Sequence, residues 1–144
     1  MPIRRVFEYR SERDQDLLNA YRRQIALTSG RIRLREVMCR VVNSPSSRFW
    51  VSPERAMRVI SSMEQGNRLE GMMRNKRIMF REIYRRVHLL RERPPYRQLP
   101  LVEVVQMVVE QPAPSFYMTP QSAIVIMHHI RKRRKQCNSS ESRS

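Results

Sequence analysis

Apolar residues along most of the chain recur three and four positions apart, the spacing of one face of an α-helix. Leu34, Val37, Met38, Val41 and Val42 show this spacing within nine residues. The chain contains only three glycines, which also favours helices. We therefore predict an all-α protein. The expected helices cover about residues 14–28, 34–42, 53–65, 76–91, 101–110 and 120–133.

The second half of the chain repeats the first. Residues 34–63 and 101–130 align without a gap at an offset of 67, and both contain the pattern F-[WY]-[VM]-[ST]-P. Serine or threonine there caps a helix that begins at the following proline. Self-similarity of this kind indicates a repeated structural unit. The sequence therefore predicts two tandem homologous three-helix units, residues 13–66 and 76–133.

The remaining segments are predicted to be a basic N-terminal arm at 1–12, a linker at 67–75 and a polar disordered tail at 134–144. A unit of roughly 60 residues is only marginally stable alone. We therefore expect the two units to pack into one compact body with basic flexible termini.

The charge of the chain indicates the kind of partner that it binds. The net charge is +16, and the basic residues are 26 arginines and 3 lysines. Arginine has a planar guanidinium that binds phosphate in a bidentate manner and stacks on bases. A solvated cationic surface is the alternative, but charge and arginine bias together favour a nucleic-acid partner. We predict a non-enzymatic nucleic-acid-binding protein whose partner is DNA rather than RNA, as a duplex.

The candidate binding residues form four groups. They are an arginine-rich third helix with its preceding loop, an arginine stripe at i, i+4 and i+8, a run of five cations near the C-terminus, and two aromatic residues that could stack on bases. The alternatives are solvated helix faces and, for the aromatic residues, packing against the helix that follows. The nucleic-acid-binding candidates are Arg48, Trp50, Arg55, Arg58, Arg77, Arg81, Arg85, Tyr117, Arg131, Lys132, Arg133, Arg134 and Lys135.

A different function is suggested by the third helix of the second copy, which is apolar on nearly every side. Such a helix is usually buried. It would pack on the first copy or form a homodimer interface through Ile124, Val125 and Met127. The alternative function is therefore a helical interaction protein that forms a homodimer or binds an acidic partner. Single-stranded RNA binding through Trp50 and Tyr117 is a third possibility.

Catalysis, metals and membranes are not indicated. His88, His128 and His129 have no Cys, Asp or Glu at ligand spacing, and no glycine-rich phosphate loop occurs. We therefore expect no enzyme activity, no cofactor, no metal site and no small-molecule substrate. No apolar run approaches the roughly 18 residues of a membrane span. Two distant cysteines are typical of a reducing compartment, so the expected location is the cytoplasm, with nucleoid association if the protein binds DNA.

The repeated pattern E-V-x-x-x-V-V…P-x-x-x-F-[WY]-x-[ST]-P-x-x-A resembles small basic proteins of Bacteroidetes-type bacteria and their mobile elements. The likeness covers most of residues 7–133, and it implies no particular function. Each unit is also similar in architecture to trihelical helix-turn-helix modules, whose third helix contacts DNA. The gap between the second and third helices, residues 43–51, is longer than the three or four residues of that motif.

Overall fold

The computed structural model describes the backbone of residues 2–141 and the side chains of residues 9–136. This part of the chain is helical and contains no strand, as the apolar spacing predicts. Its helices are α1 (Pro2–Leu27), α2 (Leu34–Val42), α3 (Pro53–Glu64), α4 (Arg74–Arg91), α5 (Pro94–Arg97), α6 (Leu101–Val109) and α7 (Pro120–Glu141).

The helices belong to two compact units. The unit formed by residues 45–117, named here the inserted unit, contains α3, α4, α5 and α6, and α3, α4 and α6 pack on one another. Its core is formed by residues with no exposed surface, such as Phe49, Ile60, Phe80, Ile83 and Val108. These residues come from all three of the longer helices and from the loop before α3. A single contiguous segment of chain therefore supplies a complete apolar core.

The unit formed by residues 1–44 and 118–144, named here the flanking unit, contains α1, α2 and α7. Both α1 and α7 pack on α2, and α1 also contacts α7. Leu17, Met38 and Val41 are fully buried in this unit, together with Ala123. Cys39, which the helical spacing places on the apolar face of α2, is instead exposed. The core therefore joins residues that lie at the two ends of the sequence.

The grouping of the helices differs from the predicted order. The repeat predicts that α3 packs with α1 and α2, whereas the apolar α7 is expected to pack on the first copy or to form a homodimer interface. In the structure α3 packs with α4 and α6, whereas α7 packs with α1 and α2. Each unit thus contains the third helix of the other copy. The loops that precede α3 and α7 are long enough to allow this exchange.

Those two loops have similar local structure. The succession of turns, bends and helix start from 43 to 53 recurs from 110 to 120, although Tyr117 has a φ of +53° and its equivalent Trp50 has no positive φ. The helices α2 and α6 begin and end at positions 67 residues apart. Ser46 and Ala113, equivalent residues of the two copies, form an antiparallel bridge. The amide of each donates a hydrogen bond of 3.0 Å to the carbonyl of the other. The ends of the inserted unit are held together at this bridge.

Ser46 also has a side-chain role that Ala113 lacks. Its buried hydroxyl lies 2.6 Å from the carbonyl oxygen of Arg48 and 3.3 Å from that of Ser115. Ser46→Ala is expected to lower the free energy of unfolding by about 1–3 kcal/mol, because buried acceptors lose a donor. Ala113 indicates that alanine fits the bridge, so the loss reports the hydroxyl. Urea denaturation followed by circular dichroism measures the change.

The control for this substitution is Ser61→Ala, at a half-buried position of α3 in the same unit. A change there is expected to stay within about 0.5 kcal/mol. Equal effects of the two substitutions would contradict the role given to the Ser46 hydroxyl.

Both terminal predictions require correction. The predicted extended arm at 1–12 is part of α1, which begins at Pro2, and the predicted disordered tail at 134–144 continues α7 as far as Glu141. Met1 and residues 142–144 lie outside the described residues. The segment expected to be a loop between α4 and α6 contains the short helix α5. The helices form two compact units, and their packing into one body stays a prediction.

Candidate nucleic-acid interface

The helix α4 carries most of the positive charge of the inserted unit. It contains seven basic residues and one acidic residue, Glu82. Its buried face is formed by Met79, Phe80, Ile83 and Val87. On a helix, residues four apart lie on one side, so Arg77, Arg81 and Arg85 form a stripe that begins on one flank of that buried face at Arg77 and reaches the exposed side at Arg85. In contrast, α6 has Glu103 as its single charged residue. Within this unit, α4 therefore carries far more positive charge than α6.

Contacts near both ends of α3 place that helix beside the arginine flank of α4. The guanidinium carbon of Arg55 lies 5.9 Å from the centroid of the Phe80 ring, at the N-terminal end of α3. At its C-terminal end, Glu64 Oε1 lies 2.8 Å from His88 Nε2. His88 is seven residues, or about two turns, after Arg81 and so shares its flank. The helices α3 and α4 therefore share a boundary, with Arg55 beside Phe80 near one end and Glu64 beside His88 near the other.

This boundary is named the α3–α4 basic seam. Arg55 and Arg58 are exposed residues on the same side of α3, three positions apart. On α4, Arg81 is exposed and Arg77 is half-buried. Guanidinium groups at this density repel one another, and an anionic partner would offset that repulsion. The α3–α4 basic seam is composed of Arg55, Arg58, Arg77, Arg81 and Arg85.

The arginines of the seam differ in their ion pairing. Arg58, Arg77 and Arg81 form no ion pair with any residue that the structure describes. Arg85 donates two hydrogen bonds to Glu82, of 2.6 and 3.0 Å. These bonds hold the pKa of the Glu82 carboxyl below its ordinary value, against the opposing effect of partial burial. Arg85 therefore contributes less to an anion site than its three neighbours.

The predicted aromatic residues have structural contacts. Tyr117 stacks on Phe49 with ring centroids 6.0 Å apart and an interplanar angle of 14°. Burial raises the pKa of the Tyr117 hydroxyl. The guanidinium of Arg48 lies 5.4 Å from the centroid of the Trp50 ring. Both aromatic rings are half-buried, so neither is a freely exposed stacking platform.

These aromatic residues lie away from the seam. Arg86 approaches the Phe49 ring to 4.9 Å and donates a hydrogen bond of 2.9 Å to the carbonyl of Pro112. On α4, Arg86 lies five residues after Arg81, about 140° around the helix axis. The loop that carries Trp50 and the residue Tyr117 therefore adjoin the other flank of α4. The sequence grouped them with the seam arginines, and the structure separates them.

The predicted cationic run belongs to the flanking unit. Arg131, Lys132, Arg133, Arg134 and Lys135 are all exposed on α7. Within the part of the chain whose side chains are described, Arg133 alone among them forms an ion pair, with Asp14. Arg131, Lys132 and Arg133 lie in the helix as predicted, and α7 also continues through Arg134 and Lys135, which the sequence assigned to the disordered tail.

The predicted interface residues of α7 are only partly available. Met127 is buried and Ile124 is half-buried within the flanking unit, whereas Val125 is 44% exposed. The apolar composition predicted burial on nearly every side. In the structure one face of α7 packs on α1 and α2, and the opposite face remains exposed.

Asp14 is a residue that the sequence did not identify as part of a site. It is buried near the middle of α1 and binds both Arg13 and Arg133. The sequence placed it at a helix N-terminus because residues 1–12 were expected to be extended. In the sequence, the one feature that hints at an ionic site is the position of the Asp14 carboxylate one helical turn after Arg10, in a strongly basic segment.

Comparisons of the chain with protein-family models, with curated proteins and with solved structures found no match. Among the described residues, no group of three or more His, Cys, Asp or Glu side chains could hold a metal ion. None of the helices in this part of the chain combines the length and apolar character needed to cross a membrane. The site is therefore interpreted from its own geometry.

Proposed function

We propose that the protein is a non-enzymatic nucleic-acid-binding protein that binds duplex DNA through the α3–α4 basic seam. The observation that carries the proposal is the packing of α3 on α4, two helices that bear Arg55 and Arg58 and Arg77 and Arg81, respectively. Three of them, Arg58, Arg77 and Arg81, have no carboxylate partner among the described residues. Arginine–phosphate contacts of this kind fix a protein on the DNA backbone without sequence readout.

The distribution of charge supports a long anionic partner. The inserted unit has thirteen basic and seven acidic residues, a net charge of +6, and its α6 side carries no basic residue in the helix. An elongated row of cations suits the regular phosphate spacing of a duplex better than a compact anion. The exposed cations at 131–135 would add contacts from the flanking unit.

The proposal predicts a specific response to removal of the seam arginines. The triple substitution Arg58→Gln, Arg77→Gln and Arg81→Gln is expected to weaken binding to a random-sequence duplex by on the order of 100-fold at 0.1 M salt. Each lost phosphate contact lowers the slope of log K against log salt by about 0.9, so the slope should fall by about 2.7. Fluorescence anisotropy across a salt series measures both quantities.

A matched control variant carries Arg91→Gln, Arg93→Gln and Arg97→Gln. These residues lie in the same unit: Arg91 ends α4, Arg93 directly precedes α5 and Arg97 ends α5. Their loss changes the net charge equally. The control is expected to retain most of the affinity and slope. Equal losses of affinity in both variants would show that binding depends on net charge and not on the seam. Absence of binding by the unaltered chain at low salt would refute DNA binding.

An assembly role is the second candidate function. Val125 is 44% exposed on α7, and Val102 and Met107 are similarly exposed on α6. These residues would support a homodimer or an acidic protein partner. Light scattering without nucleic acid tests this role, because an oligomer that resists salt favours it. Single-stranded RNA binding has less support, since the rings of Trp50 and Tyr117 already contact protein groups.

The architecture and location follow from the same proposal. We infer that the two copies are homologous three-helix repeats, supported by helix boundaries and a loop structure that recur at the offset of 67. A DNA-binding role implies a cytoplasmic protein associated with the nucleoid.

A further inference from the structure

The flanking unit contains a cationic cleft between α1 and α7, named the α1–α7 cleft. Its volume is roughly 590 Å³, and four basic side chains line it. They are contributed by Arg10 and Arg13 on α1 and by Lys132 and Arg133 on α7. Asp14 is the single acidic residue of the lining. The cleft therefore concentrates positive charge from two helices that are distant in sequence.

Asp14 organises one side of the cleft. Its carboxylate is buried, and the two oxygens have different partners: Oδ1 accepts a hydrogen bond of 3.1 Å from Arg13, and Oδ2 accepts one from Arg133. A carboxylate bound to two guanidinium groups restrains both side chains. The side chain of Arg133 nevertheless remains 55% exposed. Asp14 is thus a positioning residue that joins α1 to α7 and directs two arginines along the cleft.

The charge of the cleft exceeds what Asp14 neutralises. Arg10 and Lys132 form no ion pair with any residue that the structure describes. Four cations and one carboxylate leave a net charge of +3, before any contribution from His129. Converging cations raise the local potential and attract anions. The volume also lies in the range of ligand-binding clefts, so a phosphate group can enter.

We propose that the α1–α7 cleft is a second phosphate-binding site, which takes the phosphodiester backbone of nucleic acid. This inference rests on the proposed function and assigns to it a site beyond the α3–α4 basic seam. The restrained guanidinium groups of Arg13 and Arg133 and the unneutralised charges of Arg10 and Lys132 bind successive phosphates. Each of the two units then contributes its own contacts to the duplex.

The test compares two double variants of the full chain. Arg10→Gln with Lys132→Gln removes two cleft charges without touching the partners of Asp14. Arg31→Gln with Arg35→Gln removes two exposed charges from the same unit outside the cleft. Thermal melting followed by circular dichroism verifies that both variants are folded. Binding to a random-sequence duplex is then measured across a salt series.

The cleft variant is expected to lose affinity by on the order of 10- to 100-fold at 0.1 M salt, with a slope reduced by about 1.8. The control variant is expected to change little. Equal behaviour of the two variants overturns the cleft as a site while leaving DNA binding intact. Absence of duplex binding by the unaltered chain instead refutes the proposed function, and the inference with it.

A second arm separates backbone phosphate from free phosphate compounds. Sodium pyrophosphate is titrated into the unaltered chain and the cleft variant by calorimetry at constant ionic strength. Weak, unsaturated heats in both proteins agree with a phosphodiester site. The assignment to the nucleic-acid backbone is overturned if the unaltered chain binds pyrophosphate saturably, the cleft variant loses that binding, and the two proteins have the same affinity for duplex. The cleft would then be a site for free phosphate compounds.

Discussion

Residues 45–117, expressed alone, are expected to fold into a stable helical domain, whereas residues 13–66 are expected to remain largely unfolded. The first segment contains α3, α4 and α6 with their complete shared core. The second segment, which the repeat predicts as a unit, contains α1 and α2 but lacks their partner α7. It also contains α3 but lacks the partners of α3, which are α4 and α6. Helices without their packing partners are marginal in water.

The expected stability of the 45–117 fragment is about 4–10 kcal/mol, from typical values per residue of small domains. Circular dichroism and urea denaturation measure helicity and cooperativity for both fragments. A cooperative transition in 13–66 together with an unfolded 45–117 would restore the sequential repeats as the folding units. The backbone bridge between Ser46 and Ala113 closes the ends of the longer fragment, so no artificial linker is needed.

The same grouping predicts complementation between the two halves of the chain. Residues 1–66 and 67–144 each contain helices of both units, and neither half contains a complete core. Mixed in equal amounts, they are expected to recover helicity that neither half shows alone. Size-exclusion chromatography coupled to light scattering would then detect a one-to-one complex. Failure to associate would contradict the exchange of α3 and α7.

The second large effect is expected at Phe49. Phe49→Ala should lower the free energy of unfolding by about 3–5 kcal/mol, the usual cost of a cavity at a buried aromatic residue. Phe49 has no exposed surface, stacks with Tyr117 and lies under the guanidinium of Arg86. Urea denaturation of the full chain followed at 222 nm measures the loss.

Two controls define the cause of that loss. Phe49→Leu retains most of the buried volume and should recover more than half of the stability. Leu89→Ala removes an apolar side chain that is 48% exposed on α4 and should change stability by less than about 1 kcal/mol. A cost at Phe49 no greater than that at Leu89 would show that the loop before α3 is not anchored in the core.

The local structure was largely predictable from sequence. The apolar spacing gave α2 at the observed bounds, and the capping pattern located the starts of α3 and α7 at proline. Ser52 accepts a hydrogen bond from the amide of Arg55, and Thr119 accepts one from the amide of Ser122, as helix caps require. These features depend on residues close in sequence, so a single chain reveals them.

The sequence identified most residues of the candidate site, but it did not show which of those residues lie together in the folded protein. The stripe at 77, 81 and 85 is visible as a helical spacing, but its position beside α3 depends on the contact of Arg55 with Phe80. The contacts of Arg86 with Phe49 and Pro112 place the loop of Trp50, and Tyr117, on the other flank of α4. Arg10 and Asp14 went unassigned because the helix spacing at the N-terminus lacks the apolar face that reveals the other helices.

The sequence by itself determined the helical class, the repeated pattern and the positive charge, because each depends on composition or on neighbours along the chain. The tertiary structure decided that α3 completes the core of α4 and α6, and that α7 packs on the first copy, one of the two outcomes its apolar faces left open. Both third helices begin with the same capped proline and place an alanine, Ala56 or Ala123, at the equivalent buried position. Since either helix satisfies the local pattern, the choice depends on how the two equivalent loops pair at Ser46 and Ala113 and on the packing that follows.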